Sequence, residues 1–363
     1  MDGFLLAMPD GVVRATGTRA AFDSAGAAGS ALRSGTAELI VGALPFDPRR
    51  RTALVAPEQS THTAGPWRPA ALPDLPRVRV VSEMPSAAEH VARVTKLVEQ
   101  LADPGQPLRK VVAARSLLAE ADAPLEPEVV AAHLVTRHPR AAVYAVDLTA
   151  AGRPGETLLG ATPEVLVSRR GRTVTLRPLA GTLARSADPD TDAVQARELL
   201  ASTKNREEHA YVIDWIRDIL TPLCVELAIP DGPELLSTPE VWHLATPITG
   251  VLADPATTAL DLAVALHPTP AVCGTPTDLA LDAIADLEGD RGFYGGAVGW
   301  CDASGDGDWF VAIRCAELAA DGRGLRAFGG GGIVAASDPQ TELAETTVKL
   351  RTFLGGLHCE ISG

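Results

Sequence analysis

The segment FGGGGIVAASDPQTELAETTVKL, residues 328–350, joins a glycine run to a capped helix. The apolar and glycine residues GLRAFGGGGIV predict a strand. Ser337-Asp338-Pro339 is typical of a helix start, because Asp caps the first turn and proline suits the first helical position. The Gly355-Gly356 pair predicts where this helix ends. The segment therefore predicts a strand that leads directly into an amphipathic helix.

Outward from this segment, short apolar runs are interrupted by isolated helical patterns. Strands are predicted at 35–46, 51–58 and 141–148, with a hairpin that turns at RRGR, residues 169–172. Helical spacing covers 86–105, 126–139 and 188–220, the last as one long helix. Because strands and helices do not alternate regularly, we expect an α+β fold of layered, antiparallel-rich sheets flanked by helices.

Composition excludes several classes of function. The 363 residues carry 32 Lys and Arg against 46 Asp and Glu, a net charge of −14, which is the wrong sign for a surface that binds nucleic acid or anionic lipid. Any anionic ligand must therefore be bound by a local cluster of cations. With no signal peptide, no apolar run of about 18 residues and five scattered cysteines, we expect a cytoplasmic protein with reduced thiols that does not bind membranes. No dimerising helix is evident, which favours a monomer.

Glu208 lies on the apolar face of the helix predicted within KNREEHAYVIDWIRDIL, whereas Glu207 points elsewhere. The residues that share the face of Glu208 are Tyr211, Val212, Trp215 and Ile219. A buried, ionised glutamate needs a metal ion or another cation as its partner. The alternative is that Glu208 lies at the edge of this face and pairs with Lys204 one turn earlier.

The last helix carries a second acidic group, since Glu342, Glu345 and Lys349 lie on one face at spacings of three and four residues. Together with Glu208, the two glutamates would form an oxygen cage suited to Mg²⁺. The alternative is an exposed helix face of mixed charge.

The glycines at 329–332 can present several backbone N–H groups to a carboxylate or a phosphate. A plain glycine-rich turn is the alternative. Arg314 is a cation within the apolar run FVAIRCAEL, where burial without a partner would be costly. An anionic ligand would supply that partner.

Lys110 and Glu164 are candidates for acid–base chemistry. Burial of Lys110 beside two valines would favour a neutral amine that can act as a base, and burial of Glu164 would keep its proton available. Both could instead be ordinary charges on edge strands.

Several motifs that occur in order resemble the chorismate-utilising enzymes, most closely the isochorismate synthases. They span residues 85–358 and include LLGATPEVLV, RPLAGTLARS, STKNREEHAYVIDWI, WHLATPITG, LHPTPAVCGTP, RGFYGGAVGW, FVAIRCAEL and the segment 328–350. The resemblance implies an anthranilate synthase component I-like fold, with a strand-rich N-terminal part at 1–84 and a chorismate-binding catalytic domain at 85–363. It also implies an isomerisation in which water adds to C2 of chorismate and the C4 hydroxyl leaves, with Mg²⁺ as cofactor.

The resemblance also implies a role for each candidate residue. Lys110 would activate the water and Glu164 would protonate the departing hydroxyl. Mg²⁺ would be held by Glu208, Glu342 and Glu345. The substrate would be bound by Gly181, Thr182, His243, Ala271, Val272, Tyr294, Arg314, Gly330, Gly331 and Lys349.

Three other functions remain open from the sequence. A salicylate synthase would share Lys110 and Glu164 but would also eliminate pyruvate, and such enzymes tend to have threonine at the position of Ala271. An ammonia-using synthase usually has glutamine at the position of Lys110. A protein that keeps the fold only to bind ligands or partners is the third possibility. The consuming pathway, for a siderophore, menaquinone or another product, is not indicated.

Overall fold

The computed structural model describes residues 3–359. The strands in this range are β1 Gly3–Met8, β2 Gly11–Thr16, β3 Ala20–Phe22, β4 Leu39–Leu44, β5 Ala53–Ala56, β6 Gln59–Ala64, β7 Val78–Met84, β8 Lys110–Ala121, β9 Ala142–Asp147, β10 Thr157–Thr162, β11 Val165–Arg170, β12 Thr173–Arg177, β13 Leu179–Ala184, β14 Cys224–Ala228, β15 Glu234–Ser237, β16 Val241–Ala245, β17 Ile248–Leu252, β18 Gly274–Thr275, β19 Ala297–Asp302, β20 Gly307–Val311, β21 Cys315–Leu318 and β22 Gly324–Ile333. The α-helices are α1 Ala25–Arg33, α2 Ala87–Leu101, α3 Pro127–Arg137, α4 Pro189–Ala201, α5 Thr203–Leu220, α6 Ala259–Ala265, α7 Thr277–Glu288 and α8 Pro339–Gly356.

The strands form two large sheets and one small one. The first sheet has the order β18-β8-β22-β21-β10-β9-β1-β2-β6, with β7 also paired to β8, and the second has the order β14-β17-β12-β11-β20-β19-β4-β5-β3. Strands β13, β16 and β15 form the small sheet. The pairing is antiparallel, as between β8 and β22, so the α+β class predicted from the sequence is confirmed.

Apolar clusters define the layers of the fold. One cluster contains Phe4 and Tyr144 from the first sheet and Trp300 and Phe310 from the second, so the two sheets pack face to face. A second cluster places α3 and α8 against the first sheet, and a third places α1, α5 and α6 against the second. Helices α2 and α7 pack beside the start of β8. The two sheets are thus sandwiched between helices, and the small sheet lies against α4 and α5.

The sequence patterns locate most helices correctly. Helix α2 begins with the reciprocal capping contacts of Ser86 and Glu89, and α8 begins at the Asp338 cap and ends at Gly356. The hairpin at RRGR forms between β11 and β12, where Gly171 has φ +59°. In each case the local chemistry of the cap or turn sets the boundary.

Two expectations are corrected. The single helix expected over 188–220 is two helices, because Ser202 adopts an extended backbone and its hydroxyl accepts from the Asn205 N–H, which starts α5. Strand β6 covers residues 62–64 of the segment HTAGPWRPAALPDLP, 62–76, whose turn signals predict a loop. Its six residues are all exposed, so they show no apolar alternation to reveal the strand.

Among the helices of residues 3–359, none is both long enough and apolar enough to cross a membrane.

Candidate active site

Lys110 occupies the first position of β8 and is fully buried. Its Nζ lies 3.1 Å from Glu208 Oε1 on α5, although the two groups are not aligned as a hydrogen bond. The neighbouring strand β22 allows this approach because residue 332 is glycine. A Cβ at that position would lie 2.1 Å from Glu208 Oε1 and 2.8 Å from Lys110 Cε. A side chain at position 332 would therefore displace Glu208 or Lys110 from this arrangement.

Glu208 faces inward, as the helical spacing predicts, and is 8% exposed. Burial alone would raise the pKa of Glu208, but the nearby ammonium groups of Lys110, Lys204 and Lys349 outweigh it and lower that pKa. Glu208 is therefore a buried carboxylate surrounded by cations. The alternative pairing with Lys204 is wrong, because Lys204 Nζ instead donates to Glu342 Oε1 at 2.6 Å.

Helix α8 supplies the other two glutamates. Glu342 is only 1% exposed, so the alternative of an exposed mixed-charge face is wrong. Burial and the neighbouring Glu345 raise the pKa of Glu342, although Lys204 and the Ser337 hydroxyl oppose this shift. Lys349 Nζ donates both to Glu345 and to the carbonyl oxygen of Gly330, the latter at 3.0 Å. Helix α8 thus presents the deeply buried carboxylate of Glu342 and the carboxylate of Glu345, which is paired with Lys349 one turn further along the helix.

The three glutamates have the donor chemistry that Mg²⁺ prefers. Glu342 Oε2 is buried without a hydrogen-bond partner among residues 3–359, and it lies 2.8 Å from the position that a Cβ on Gly331 would take. Glu345 Oε1 lies 3.7 Å from the same position. Across the described range, no three acidic, histidine or cysteine side chains converge closely enough to hold an ion by themselves. An ion here would need further oxygens from water or a ligand, which is usual for Mg²⁺.

Glu164 lies between β10 and β11 and is 3% exposed. Burial raises the pKa of Glu164 to about 7, against the opposing effects of the Leu179 N–H and of Arg314, Lys110 and Lys349. The Leu179 N–H donates to Glu164 Oε1 at 3.4 Å. At neutral pH a substantial fraction of Glu164 therefore keeps its proton, as the sequence-based hypothesis requires. Lys110 is one of the cations that oppose this rise in the pKa of Glu164, and both side chains are buried.

Arg314 connects the two large sheets to the small one. It follows β20, has φ +51°, a strained backbone conformation for a residue with a side chain, and is 6% exposed. Its Nη2 donates to His243 Nε2 at 3.2 Å. Because arginine only donates and burial lowers the pKa of His243, that ring is neutral and its Nδ1–H donates to Thr182 Oγ1 at 3.0 Å. This chain of contacts fixes the orientation of the guanidinium.

The glycine run lies between Tyr294 and the acidic groups. A Cβ at position 330 would lie 2.7 Å from the Tyr294 hydroxyl oxygen, and the Tyr294 ring stacks on Phe328 at 5.1 Å. Gly181 has φ +79° and packs against Asn205 near the start of α5. These glycines therefore permit close approaches that a side chain would block.

Ala271 and Val272 have different surroundings from the charged residues. Both pack with the apolar cluster on the helix side of the second sheet, and the carbonyl oxygen of Val272 accepts from Arg291 at 2.9 Å. They lie shortly before Thr275, which pairs with Lys110. Their assignment to substrate binding stays a prediction.

The sequence reasoning did not identify Lys204 as the partner of Glu342 or Gly332 as the glycine beside the Lys110–Glu208 pair. Lys204 lies one helical turn before Glu208, and that spacing could have placed both side chains toward the same cavity. Nothing in the sequence alone distinguishes Gly332 from the other three glycines of the run.

The chain is similar to known proteins along nearly its whole length. Residues 56–358 match the family model described as chorismate binding enzyme. A Mycobacterium tuberculosis protein with the provisional name isochorismate synthase MenF is 50% identical, over 98% of this chain and 96% of its own length. Isochorismate synthase DhbC of Bacillus subtilis is 44% identical, over 87% of this chain and 80% of its own length.

The fold is also similar to that of a solved isochorismate synthase structure. A crystal structure from Bacillus anthracis, provisionally described as the 2,3-dihydroxybenzoate-specific isochorismate synthase DhbC, superposes with a TM-score of 0.90 at 35% identity. It covers 98% of this chain and 96% of that one. The resemblance stated from the motifs is confirmed, and the chain belongs to the family of chorismate-binding enzymes.

Proposed function

We propose that this protein is an isochorismate synthase, an isomerase that converts chorismate to isochorismate. The observation that carries the proposal is the buried Lys110 and the proton-retaining Glu164 in one region rich in cations. The names of the relatives support the same reaction.

The charges of the site suit a substrate with two carboxylates. Arg314 and Lys349, with the Tyr294 hydroxyl and the N–H groups of Gly330 and Gly331, would bind the carboxylate of the enolpyruvyl side chain. Glu208, Glu342 and Glu345 would hold Mg²⁺ near the ring carboxylate. The ion, when bound, supplies charge neutralisation and orientation of that carboxylate. Thr182 and His243 would line the ring between these two anchors.

Lys110 would act as the base. Its Nζ is buried and lies 3.1 Å from Glu208 Oε1. Lys110 would take a proton from a water molecule whose oxygen attacks C2 of the ring.

Glu164 would complete the reaction as the acid. As the C2–O bond forms, the C1–C2 double bond moves to C1–C6, the C5–C6 double bond moves to C4–C5, and the C4–O bond breaks. The Glu164 carboxyl would give its proton to the departing hydroxyl, which leaves as water. One water is consumed and one released, so substrate and product are isomers.

The test is a product assay with purified protein, chorismate and Mg²⁺, without ammonium salts. We expect isochorismate as the main product. The variants Lys110→Ala and Glu164→Gln should each turn over roughly 10²–10⁴-fold more slowly, the usual contribution of a general acid or base. Lys96→Ala removes an exposed lysine on α2 and should keep wild-type activity.

Three outcomes would contradict the proposal. Abundant salicylate with released pyruvate would identify a salicylate synthase. Product formed only with ammonium would identify an ammonia-using enzyme, and binding of chorismate without turnover would identify a ligand-binding protein. We also propose, as the resemblance of the motifs implies, that the product supplies siderophore or menaquinone synthesis in the cytoplasm.

A further inference from the structure

A cavity of about 570 Å³ leads from the protein surface to Arg314. Its outer wall is formed by the segment after α3 and by β15, and its inner end is formed by Arg314, Ala161 and Thr352. The inner residues are buried, whereas Arg137, Arg140 and Arg177 at the outer wall are exposed. The cavity therefore connects solvent with a residue that belongs to the proposed substrate site.

The lining of this cavity is strongly basic. Among residues 3–359 it contains four arginines, at positions 137, 140, 177 and 314, against one acidic residue, Glu234. His138 also lines it, but burial lowers the pKa of His138, so this ring adds no positive charge at neutral pH. The excess of cations contrasts with the net charge of −14 of the whole chain.

Two of these arginines are not engaged elsewhere. Arg137 lies 3.6 Å from Glu240, but Arg140 and Arg177 form no ion pair with any residue in the range 3–359. Their charges are therefore available to an anion that enters the cavity. In a protein whose average field repels a dianion, such a cluster would concentrate the ligand at the mouth.

We propose that this cavity is the route by which the dianionic substrate approaches, with Arg140 and Arg177 capturing it and Arg314 receiving one carboxylate at the inner end. The inference rests on the proposed function, because it takes the substrate to be a ring that carries two carboxylates. It assigns capture to arginines that do not contact the reacting atoms.

The test compares Arg140→Gln, Arg177→Gln and the double variant with Arg19→Gln. Arg19 is exposed and lies outside the cavity, so its replacement matches the change in net charge of each single variant. At an ionic strength of about 0.01 M we expect kcat/KM to fall roughly threefold in each single variant and roughly tenfold in the double variant, with kcat nearly unchanged. At about 1 M, where the Debye length is about 3 Å, the difference should fall below about twofold.

The outcomes are separable. An active wild-type enzyme whose double variant behaves like Arg19→Gln at low ionic strength would overturn the approach route while leaving the isomerase intact. A loss of kcat equal to the loss of kcat/KM would also overturn it, because the arginines would then serve the chemical step. If the variants changed only inhibition by added inorganic phosphate, the cavity would be a separate anion site. Absence of isochorismate from the wild-type reaction would refute the proposed function itself.

Discussion

Glu164 shows how a single buried carboxyl group can couple stability to function. Its surroundings hold three cations within electrostatic range, yet burial still raises its pKa to about 7. In the unfolded chain an ordinary glutamate ionises near pH 4.5. The folded protein therefore retains a proton that the unfolded chain has lost, and this difference destabilises the folded state as the pH rises from about 4.5 to about 7.

Replacing Glu164 with glutamine should remove this penalty. At pH 8 we expect Glu164→Gln to raise the free energy of unfolding by about 3 kcal/mol, whereas at pH 5 the gain should be below about 1 kcal/mol. Glutamine can still accept from the Leu179 N–H, so the local hydrogen bond is kept. Denaturant unfolding of both proteins at the two pH values measures the effect, and an equal difference at both would show that Glu164 ionises normally in the folded protein.

The variant Glu208→Gln tests whether Glu208, with Glu342 and Glu345, holds Mg²⁺. Removal of one carboxylate should raise the half-saturating Mg²⁺ concentration by at least about tenfold. It should also reduce the upward shift of the melting temperature that we expect from Mg²⁺ binding, a readout that does not need turnover. Glu207→Gln alters the adjacent, exposed residue of α5 and serves as the control. Identical Mg²⁺ titrations for both variants would remove Glu208 from the set of ligands.

Sequence spacing could predict that Glu208 faces inward, because helical periodicity fixes the direction of each side chain. It could not predict the partner of Glu208. Lys110 is far away in the chain and meets Glu208 only because β8 and α5 are brought together by the tertiary fold. The same reason explains why the alternative, a pairing of Lys204 with Glu208 one turn away, does not form and Lys204 pairs with Glu342 instead.

At the scale of elements, the successive glycines of β22 approach two different neighbours, α8 at one end and the Lys110–Glu208 pair at the other. A Cβ at position 329 would lie 2.9 Å from the carbonyl oxygen of Thr346 in α8, whereas one at 332 would meet the Lys110–Glu208 pair. The same run of identical residues therefore contributes to helix packing at one end and to the site at the other. The sequence predicted a strand at this segment, but the different neighbours of each glycine depend on the packing of α8 and α5.

Alanine substitutions along β22 should separate these two roles. Gly332→Ala should lower kcat by about 100-fold, because displacing a reacting group by about 1 Å costs that much. Gly329→Ala should instead lower the free energy of unfolding by about 1–3 kcal/mol, since overpacking would push α8 away.

Gly324→Ala is the matched control on the same strand, because an added Cβ there would meet only the Ala319 Cβ, at 3.3 Å, within the described part of the chain. Steady-state kinetics and denaturant unfolding distinguish the variants. If Gly332→Ala kept the activity of Gly324→Ala, the close approach at Glu208 would not matter for turnover.

At the scale of the whole molecule, the N-terminal strands are built into both large sheets. Strand β1 pairs with β9 in the first sheet, and β4 pairs with β19 in the second. The division into a strand-rich N-terminal part at 1–84 and a chorismate-binding catalytic domain at 85–363 remains a prediction. The alternating patterns predicted individual N-terminal strands, but they carried no information about which distant strands these would join.

This topology predicts that the full chain unfolds in one cooperative transition. A chain shortened to residues 85–363 would expose the edges of β9 and β19 and lose part of the apolar cluster between the sheets, so we expect no cooperative transition from it. Calorimetry of both chains is the measurement. A sharp transition from the shortened chain, at a temperature close to that of the full chain, would show that residues 85–363 fold independently.

The central claim is that Lys110 delivers a water molecule to C2 while Glu164 releases the C4 hydroxyl as water. The most direct measurement is the mass of the product after turnover in ¹⁸O-enriched water. The account predicts one ¹⁸O atom in each isochorismate molecule, in the hydroxyl at C2. Unlabelled isochorismate would contradict it, because the hydroxyl would then have moved from C4 to C2 without exchange with solvent.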